Sequence, residues 1–336
     1  MRGGAPGGTD SMPGVTVVIP NWNGRDLLET VLNSLAAQTD SPELILVVDN
    51  GSEDDSVEVA GRHGAEVVAL DNNYGFARAV NEGLRRVTTP YVAVLNNDVT
   101  LAPAYLERLR KAMESESVDF ATGCILQAGT YLLDGSFDLI CRGGTAWRAG
   151  YGMDQHGFTA ARRVQFVPMT AALFRTSLFA EVGYLDEDFV SYLEDVDFGL
   201  RCARIHKMGL YLPDVIAEHR GSASLGAWSV AQVRCISRNQ VLLVAKHFPE
   251  GWIWRLGWPI FVAQGLWGLL AIRRGRGLAW LAGKLAGWRA SLNAKPAAPA
   301  YPLESLLDLL RSNESLIREL GATRDKYWRW YFRLIG

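Results

Sequence analysis

Short apolar runs alternate with stretches of helical period from Val15 onward, and this alternation limits the possible folds more than any other feature of the chain. Four runs have the length and composition of buried strands, at residues 15–20, 44–49, 66–70 and 91–96. A helical pattern follows each of them, starting near Arg25, Ser52, Phe76 and Pro103. This order predicts an α/β fold in which helices cover a mainly parallel sheet.

Polar residues gather where each predicted strand ends, in segments 21–24, 49–55, 71–75 and 96–98. Ligands of open α/β sheets bind beyond the carboxyl ends of the strands, because those ends lie along one edge of the sheet. The four polar segments therefore predict one continuous binding site.

Composition narrows the class of protein. The 336 residues suffice for one large domain with an appendage or for two domains. A formal net charge of -2 gives no field that would recruit nucleic acid. The four cysteines (Cys124, Cys141, Cys202 and Cys235) lie too far apart for a zinc site or a disulfide framework. We therefore expect a reducing, cytoplasmic setting.

The remaining chain divides into three parts. Residues 1–13 are rich in Gly and Pro and predict a disordered leader without a secretory signal. A nucleotide-binding domain is expected over residues 14–249, with loops or a small hairpin at 127–163 lying over the site. Later in that domain the pattern predicts a strand at 164–174, a helix at about 194–208 and short strands at 210–213 and 215–219. Residues 250–336 form a separate helical module in this prediction, with an amphipathic helix at about 303–320.

Two of the strand-end clusters suit a nucleotide. Asp49, Asn50 and Ser52 follow a buried strand, where carboxylate and backbone groups can hold a ribose or a pyrimidine edge. The second cluster contains Asn73, Gly75, Phe76 and Asn81. Its glycine permits close backbone approach, and the helix N-terminus after it attracts a diphosphate. A turn that only caps a helix would explain either cluster equally well.

A third cluster suits a metal ion. Asn96, Asn97 and Asp98 come directly after an apolar strand, which would aim Asp98 at a divalent cation on the diphosphate of a bound nucleotide. Hard oxygen ligands favour Mg²⁺ or Mn²⁺. His219 closes a later strand near the same edge and is a candidate for metal or diphosphate contact. A plain loop and a structural histidine are the alternatives.

Three carboxylates, Glu194, Asp195 and Asp197, stand at the start of a predicted helix. Negative charge is favourable at a helix N-terminus in any case, and Asp197 can pair with Arg201 one turn later. Asp195 points elsewhere on the helix. It is therefore available as a general base for a sugar hydroxyl.

Together these segments resemble the inverting glycosyltransferases of family 2, which have the GT-A fold, and especially their rhamnosyltransferase-like bacterial branch. The resemblance covers residues 15–249. It rests on VVIPNWNG at 17–24, VDNGS at 48–52, NYGFA at 73–77, LNND at 95–98, YLEDVD at 192–197 and His219. Arg238 and Asn239 also resemble the family's usual close of this domain.

The resemblance implies transfer of a sugar from a nucleotide-sugar donor with inversion. Pro20, Asn21 and Asn23 would belong to the nucleotide-sugar site, and Asp49 would bind the base. Asp98 would hold the metal with help from His219, and Asp195, with Glu194 beside it, would be the catalytic carboxylate. The sequence departs from the family at Asn96, where many relatives carry Asp, and at Thr170, where Gly is common.

The resemblance also implies a substrate class. The favoured donor is dTDP-L-rhamnose, with UDP-linked hexoses and galactofuranose as alternatives. The expected acceptor is a lipid-linked saccharide of bacterial cell-surface polysaccharide synthesis. A nucleotidyltransferase and a non-catalytic, membrane-associated sugar-binding protein are the alternatives from other classes.

The predicted C-terminal module has the composition of a membrane-surface segment. Residues 256–272 are uncharged but shorter than the span of about 20 residues that crosses a bilayer. Four tryptophans flank or punctuate this run, and arginines at 273, 274 and 276 follow it. These features favour a helix lying in the interface at the cytoplasmic face of the cell membrane. A buried helix and a homo-oligomer contact are the alternatives.

Overall fold

A ten-stranded sheet forms the centre of the computed structural model, which describes residues 14–221, 226, 228–297 and 301–336. The predicted leader at 1–13 lies outside the described residues. The ten strands of this sheet are β1 (Val15–Asn21), β2 (Leu44–Asp49), β3 (Glu66–Ala69), β4 (Tyr91–Leu95), β5 (Val99–Leu101), β6 (Phe120–Gln127), β7 (Leu133–Gly135), β10 (Arg162–Val164), β11 (Ala171–Arg175) and β12 (Gly209–His219). A separate two-stranded sheet contains β8 (Asp138–Ile140) and β9 (Ala146–Arg148).

The helices lie on both sides of this sheet and beyond its edge. They are α1 (Arg25–Ala36), α2 (Ser56–Arg62), α3 (Phe76–Leu84), α4 (Tyr105–Glu116), α5 (Ser177–Val182), α6 (Glu194–Arg204), α7 (Val230–His247), α8 (Trp252–Arg273), α9 (Gly277–Ser291), α10 (Leu303–Glu319) and α11 (Lys326–Ile335). The predicted α/β class with C-terminal helices is confirmed.

The sheet is parallel in its first half and mixed in its second. Strands β3, β2, β1 and β4 are adjacent and parallel, so their carboxyl ends share one edge. Strand β11 then runs antiparallel between β4 and β6, and β12 lies parallel to β6. The antiparallel pairing of β12 with β5 sets His219 opposite Val99. This pairing brings a late strand back to the edge where β4 ends.

Alternate residues of the central strands face two separate cores, as the period of two requires. Val18 and Val48 pack with Ala77 and Val80 of α3 on one face. The other face carries Val17 and Ile19, which pack with Leu28, Val31 and Leu32 of α1. Strands buried on both faces explain why the sequence shows continuous apolar runs here.

Three predicted elements differ from the structure. The strand expected at 164–174 is two strands, because β10 pairs with β12 whereas β11 pairs with β4 and β6 in the middle of the sheet. The strands expected at 210–213 and 215–219 are one strand, β12, with an irregular register between Leu212 and Ile216. Pro213 lies at that irregularity and has no N–H to donate.

Helix α2 begins at Ser56, four residues later than the predicted start at Ser52. The N–H of Ser52 donates to Oδ2 of Asp49 at 3.0 Å, and Asp54 accepts from the N–H groups of Arg25 and Ser56. These side-chain acceptors hold residues 50–55 in a loop instead of a first helical turn. The loop therefore belongs to the edge of the sheet where the site is expected.

The glycine-rich segment and the C-terminal helices pack together. Strands β8 and β9 form the small hairpin expected within residues 127–163. Phe137 and Phe158 from this segment share a hydrophobic cluster with Ile317, Trp328 and Tyr331. The helices beyond residue 249 thus lie against the region around the site, and the domain boundary near that residue stays a prediction.

Candidate active site

Buried polar side chains at the ends of β1, β2 and β4 are joined by hydrogen bonds. Nδ2 of Asn97 donates to Oδ1 of Asn21 at 2.7 Å, and Nδ2 of Asn21 donates to Oδ1 of Asp49 at 3.3 Å. All three residues are buried. Three of the strand-end clusters predicted from the sequence therefore meet at one edge of the sheet.

The loop after β1 is joined to the loop after β2. The N–H of Asn23 donates to Oγ of Ser52 at 2.8 Å, and Oδ1 of Asn23 accepts from the N–H of Glu53 at 2.8 Å. Pro20 lies one residue before the end of β1 and is paired in register with Val48. A Cβ at Gly24 would lie 2.3 Å from Nδ2 of Asn97, so only glycine permits this close approach.

The amides of Asn50 and Asn73 fold the loop after β3. Nδ2 of Asn50 donates to Oδ1 of Asn73 at 3.0 Å and to the carbonyl of Gly75 at 3.1 Å. Its Oδ1 accepts from the N–H of Tyr74 at 2.9 Å. Both asparagines thus hold the loop at the edge of the sheet, through the whole amide of Asn50 and the amide oxygen of Asn73.

The N-terminus of α3 is occupied by another part of the chain. The N–H of Phe76 donates to Oγ of Ser191 at 3.1 Å, and the N–H of Ala77 donates to the carbonyl of Val190 at 3.0 Å. A Cβ at Gly75, where φ is +88°, would lie 2.6 Å from the carbonyl oxygen of Val190. The diphosphate contact at this helix end stays a prediction, and in this structure the first N–H groups of α3 bind segment 190–191, which Gly75 admits.

The side chain of Asn81, a predicted nucleotide-sugar contact, is bonded to the segment before α6 in this structure. Its Nδ2 donates to the carbonyl of Leu185 and to Oε1 of Glu187, both at 2.9 Å, and its Oδ1 accepts from the N–H of Leu185 at 2.9 Å. Both amide hydrogens are used, and the side chain is buried. Asn81 fastens α3 to the segment before α6 and has no donor left for a nucleotide.

Segment 189–193, which leads into α6, has a strained backbone. Val190, Tyr192 and Leu193 have φ of 62°, 69° and 69°, values that non-glycine residues rarely adopt. Nδ2 of Asn239 lies 2.7 to 2.8 Å from three carbonyl oxygens of this segment, those of Phe189, Ser191 and Tyr192. Buried Asn239 on α7 thus holds the strained turn that positions Glu194 and Asp195.

The three carboxylates at the start of α6 lie in different surroundings. Asp197 is fully buried, and its oxygens accept from Arg201 at 2.9 Å and bind Nε2 of His247 at 2.7 Å. The predicted pair with Arg201 is confirmed. Glu194 is also buried, and burial, with the nearby charge of Asp195, raises its pKa to about 8. Burial thus favours the protonated form of Glu194, and only Asp195 of the three is partly exposed.

Asp195 faces a single guanidinium. Nη2 of Arg148 lies 3.8 Å from Oδ2 of Asp195, while other nitrogens of the same group lie 3.7 Å from Asp134 and 3.6 Å from Asp138. Burial raises the pKa of Asp195, and the charge of Arg148 opposes that rise. Burial raises the pKa of Asp138 to about 7, again against the charge of Arg148.

Asp98 and His219, the two predicted metal ligands, are brought together. Nε2 of His219 lies 2.9 Å from Oδ1 of Asp98, and Nδ2 of Asn96 lies 3.4 Å from the same ring nitrogen. Nδ1 of His219 is bonded to Asp134 at 2.8 Å. Burial lowers the pKa of His219, but its hydrogen bonds to Asp134 and Asp98 raise it to about 9 overall.

This arrangement fits a divalent cation with few protein ligands. With a cation bound, Asp134 would still accept the proton on Nδ1 of His219, and Nε2 would give up its proton and ligate the cation beside Asp98. A carboxylate oxygen and an imidazole nitrogen are suitable ligands for Mn²⁺. Within the described ranges, no group of three or more His, Cys, Asp or Glu side chains could hold a metal ion. The remaining ligands would have to be water and donor phosphate.

Three residues of the site, Asp134, Asp138 and Arg148, are not indicated by the sequence. They lie in the glycine-rich stretch 127–163, which has little periodicity and no motif to place its side chains. Charged residues in a stretch otherwise rich in small and apolar residues were the only signal. The pairing of β8 with β9 and of β7 with β6 decides their positions.

Residues 16–183 match the family model described as Glycosyl transferase family 2. Among curated proteins, the chain is similar to the N-acetylglucosaminyl-diphospho-decaprenol L-rhamnosyltransferase of Mycobacterium tuberculosis. The two are 25% identical over 291 residues, which cover 79% of this chain and 94% of the relative.

Solved structures with the same fold come from more distant proteins. GalNAc-T7 with UDP, GalNAc and Mn²⁺ aligns with a TM-score of 0.62 at 12% identity, over 93% of this chain and 59% of that one. The mannosyltransferase PcManGT from Pyrobaculum calidifontis, in complex with GDP-Man and Mn²⁺, aligns with a TM-score of 0.53 at 18% identity. That alignment covers 97% of this chain and 88% of PcManGT. At these identities the likeness concerns the fold alone.

Proposed function

The chain belongs to glycosyltransferase family 2, and we propose that it transfers a sugar from a nucleotide-sugar donor to a saccharide hydroxyl with inversion at the anomeric carbon. One observation carries this proposal. Charged side chains connect Asp98 to Asp195 through His219, Asp134 and Arg148, with successive separations of 2.9, 2.8, 3.7 and 3.8 Å. A metal-binding pair and a carboxylate base thus belong to one cluster beside the strand ends.

Asp195 is the base in this proposal. Its ionised carboxylate accepts the proton of the acceptor hydroxyl as the hydroxyl oxygen bonds to the anomeric carbon. The bond from that carbon to the diphosphate oxygen breaks in the same displacement, and the diphosphate leaves with the electron pair. Glu194 is less suited to this role because its side chain is buried, which also raises its pKa, whereas Asp195 is partly exposed.

Asp98 and His219 would hold a divalent cation, Mg²⁺ or Mn²⁺. A cation at this position neutralises negative charge on the departing diphosphate. Asn96 and Asn97 lie on the same turn, and the N–H of Asn96 donates to the carbonyl of Thr170 at 2.9 Å. Thr170, where relatives commonly have Gly, is thus adjacent to the proposed metal turn.

The nucleotide part of the donor is assigned to the joined ends of β1 and β2. Asn21, Asn23 and Asp49 with Ser52 provide polar groups there, beside Pro20. Each carboxylate oxygen of Asp49 has one hydrogen-bond donor and keeps capacity for another. Asn50, Asn73, Gly75 and Phe76 contribute by holding the neighbouring loop.

Substitution of Asp195 by Asn tests the reaction. The change removes the base and keeps the shape, so transfer should fall by at least about 100-fold while donor affinity stays within about twofold. Sugar incorporation into an acceptor and calorimetric titration of the donor measure the two effects. Turnover equal to that of the wild type would refute the assignment of the base.

The donor is proposed to be dTDP-L-rhamnose, with UDP-hexoses as the alternative. The name of the mycobacterial relative, a rhamnosyltransferase, supports this choice. A panel of nucleotide sugars, followed by release of free nucleotide, tests it. Preference for a UDP-sugar would overturn the rhamnosyl assignment and leave the family unchanged.

The acceptor is proposed to be a lipid-linked saccharide at the cytoplasmic face of the cell membrane, in bacterial cell-surface glycan synthesis. Helices α8 and α9 expose large apolar side chains, including Trp254 at 89% and Leu278 at 85%. Among the described residues, α8 is the one helix long and apolar enough to cross a membrane. Length and composition alone are weak evidence for a membrane span, because the buried core helix of a soluble protein can have both. Arginines lie at the end of α8, at 273, and directly after it, at 274 and 276. Apolar side chains and flanking arginines together suit a helix lying in the interface of an anionic bilayer.

A further inference from the structure

An open groove runs between the β8–β9 hairpin, which carries Arg148, and the segment that joins α10 to α11. One part has a volume of about 380 Å³ and is lined by Trp147, Arg148, Tyr151, Arg324 and Trp328. A second part of about 390 Å³ continues from it, sharing Met153, Gly321 and Arg324 and adding Arg162. None of the assigned donor or metal residues lines either part.

Aromatic side chains form one wall of the groove. Trp147 is half-buried and packs edge-on against Trp328, with ring centroids 6.4 Å apart. Tyr151 is 62% exposed. Flat aromatic surfaces beside polar groups suit a pyranose ring, whose C–H face is apolar and whose rim carries hydroxyls.

Two arginines in the groove lack acidic partners. Within the described part of the chain, no carboxylate lies within 4.0 Å of the Arg162 or Arg324 guanidinium. Arg162 lies over the ring of Phe137 at 5.6 Å. Nε of Arg324 lies 3.8 Å from where a Cβ on Gly321 would be. Of the two carboxylates that line the second part, Asp154 and Glu319, Asp154 is bonded to His156. Unpaired guanidinium groups bind phosphate oxygens with charge-assisted hydrogen bonds.

The groove lies between the base and the apolar surface. Arg148 lines it and reaches Asp195 at 3.8 Å. On the other side, Trp328 belongs to α11, which also exposes Trp330 and Leu334. Nε1 of Trp258 on α8 donates to the carbonyl of Leu334 at 2.9 Å, so α11 joins the exposed face of α8.

We propose that this groove binds the acceptor, a saccharide carried on a lipid diphosphate, with Arg162 and Arg324 on the diphosphate and Trp147 and Tyr151 on the sugar. The inference rests on the proposed function and adds to it the acceptor's anionic linker and the residues that recognise it. The lipid leaves the groove along α11 toward the apolar face. The sugar hydroxyl approaches Asp195 from the side of Arg148.

The test compares two acceptors in the full-length enzyme. One is N-acetylglucosamine on a short prenyl diphosphate, and the other is the neutral octyl glycoside of the same sugar. The double variant R162Q/R324Q should raise the KM of the diphosphate acceptor by about tenfold or more, since each arginine loses charge-assisted hydrogen bonds. The KM values of the donor and of the octyl glycoside should stay within about twofold. Arg311→Gln, at an exposed arginine of α10 outside the groove, is the matched control and should change none of them.

Binding is measured separately from transfer, by quenching of tryptophan fluorescence on addition of the prenyl-diphosphate sugar. Equal affinity in wild type and double variant overturns the groove assignment. An equal rise in KM for both acceptors also overturns the groove assignment, because a general disturbance of the fold would weaken the charged and the neutral acceptor alike. If the wild type binds the diphosphate acceptor more tightly than the double variant but no donor supports transfer, the proposed function fails and the groove assignment stands.

A bilayer headgroup is the other possible source of phosphate. Co-sedimentation with vesicles containing phosphatidylglycerol separates the two sources. The double variant should bind these vesicles like the wild type, since the apolar face is unchanged. Loss of vesicle binding without loss of soluble acceptor affinity would show that the arginines contact the membrane, and would overturn the inference.

Discussion

Nη2 of Arg148 lies 3.8 Å from Oδ2 of Asp195, and the same guanidinium faces Asp134 and Asp138 within 3.7 Å. A single cation is thus shared by three carboxylates, one of which also holds the ring of His219. The proposed base and the proposed metal ligands therefore depend on one side chain from the β8–β9 hairpin. Its charge sets the conditions under which Asp195 is ionised.

Replacing Arg148 by Met should shift the pH dependence of transfer. Asp195 must be deprotonated to act. Burial raises the pKa of Asp195, and the positive charge of Arg148 opposes that rise. Asp138 and Glu194, when ionised, add negative charge near Asp195 and raise its pKa further. Without Arg148 the pKa of Asp195 rises further, so the acidic limb of kcat/KM should move to higher pH. Arg148→Lys retains the charge and should restore much of the limb. An acidic limb that does not move in R148M would contradict this electrostatic role.

Replacing Asn96 by Asp should strengthen metal binding. Nδ2 of Asn96 lies 3.4 Å from Nε2 of His219, so a carboxylate there would add an anionic oxygen beside Asp98. The Mn²⁺ concentration that half-restores transfer after chelation should fall by several-fold. Asp98→Asn should raise it instead. If both variants respond to Mn²⁺ like the wild type, the cation does not bind at this turn.

Asp197 should matter for stability rather than catalysis, although it lies two residues from Asp195. It is paired with Arg201 and His247, and removing one partner of a buried ion pair costs about 3 kcal/mol. Asp197→Asn should therefore lower the melting temperature clearly, whereas Asp195→Asn should leave it nearly unchanged. Equal melting temperatures for the two variants would contradict the different surroundings of these carboxylates.

The Asp197 contribution should also depend on pH. Burial raises the pKa of Asp197, but the hydrogen bond from His247 and the charge of Arg201 lower it overall. A lowered pKa means that the stabilisation is present above about pH 4 and is lost as the pH falls below that value. The stability difference between wild type and Asp197→Asn, measured by urea unfolding, should shrink at acidic pH.

Substitutions on the apolar face should weaken membrane binding. Trp254→Ser together with Leu278→Ser removes two of the most exposed apolar side chains, and affinity for anionic vesicles should fall by about tenfold or more. Val57→Ser, at an exposed apolar residue of α2, is the control. Salt should weaken wild-type binding without abolishing it, since apolar burial remains.

The outcome that contradicts membrane binding is full-length protein that stays in the supernatant with anionic vesicles at low salt. The apolar face would then be interpreted as a contact between copies of the chain, which sedimentation velocity would detect. Point substitutions suit this test better than truncation after Pro249. Truncation would remove Ile317, Trp328 and Tyr331, which pack with Phe137 and Phe158 near the site.

The sequence alone determined the features that depend on local pattern. The bounds of β1 to β4 follow from the sequence within a residue or so. Strands β1, β2 and β4 are mostly buried and have continuous apolar runs, whereas β3 is the partly exposed edge strand and is marked by its valines and the turn residues around it. The same apolar runs place three polar residues at strand ends, because each run stops just before them. These residues are Asn21, Asp49 and Asn97. The family motifs then indicated the roles of Asp98, Asp195 and His219.

Only the tertiary structure decided which partners those local groups bind. The N–H groups at the start of α3 looked available for a diphosphate, but segment 190–191, more than a hundred residues later, occupies them. The side-chain amide of Asn81 is likewise hydrogen-bonded to the backbone of Leu185. Arg148 lies close to Asp195 only because the β8–β9 hairpin packs beside α6. The sequence does not indicate which distant residue a donor or a charged side chain will contact, because that pairing depends on how separate helices and strands pack. The hydrogen-bond and ion-pair partners of these side chains are therefore decided by the tertiary structure.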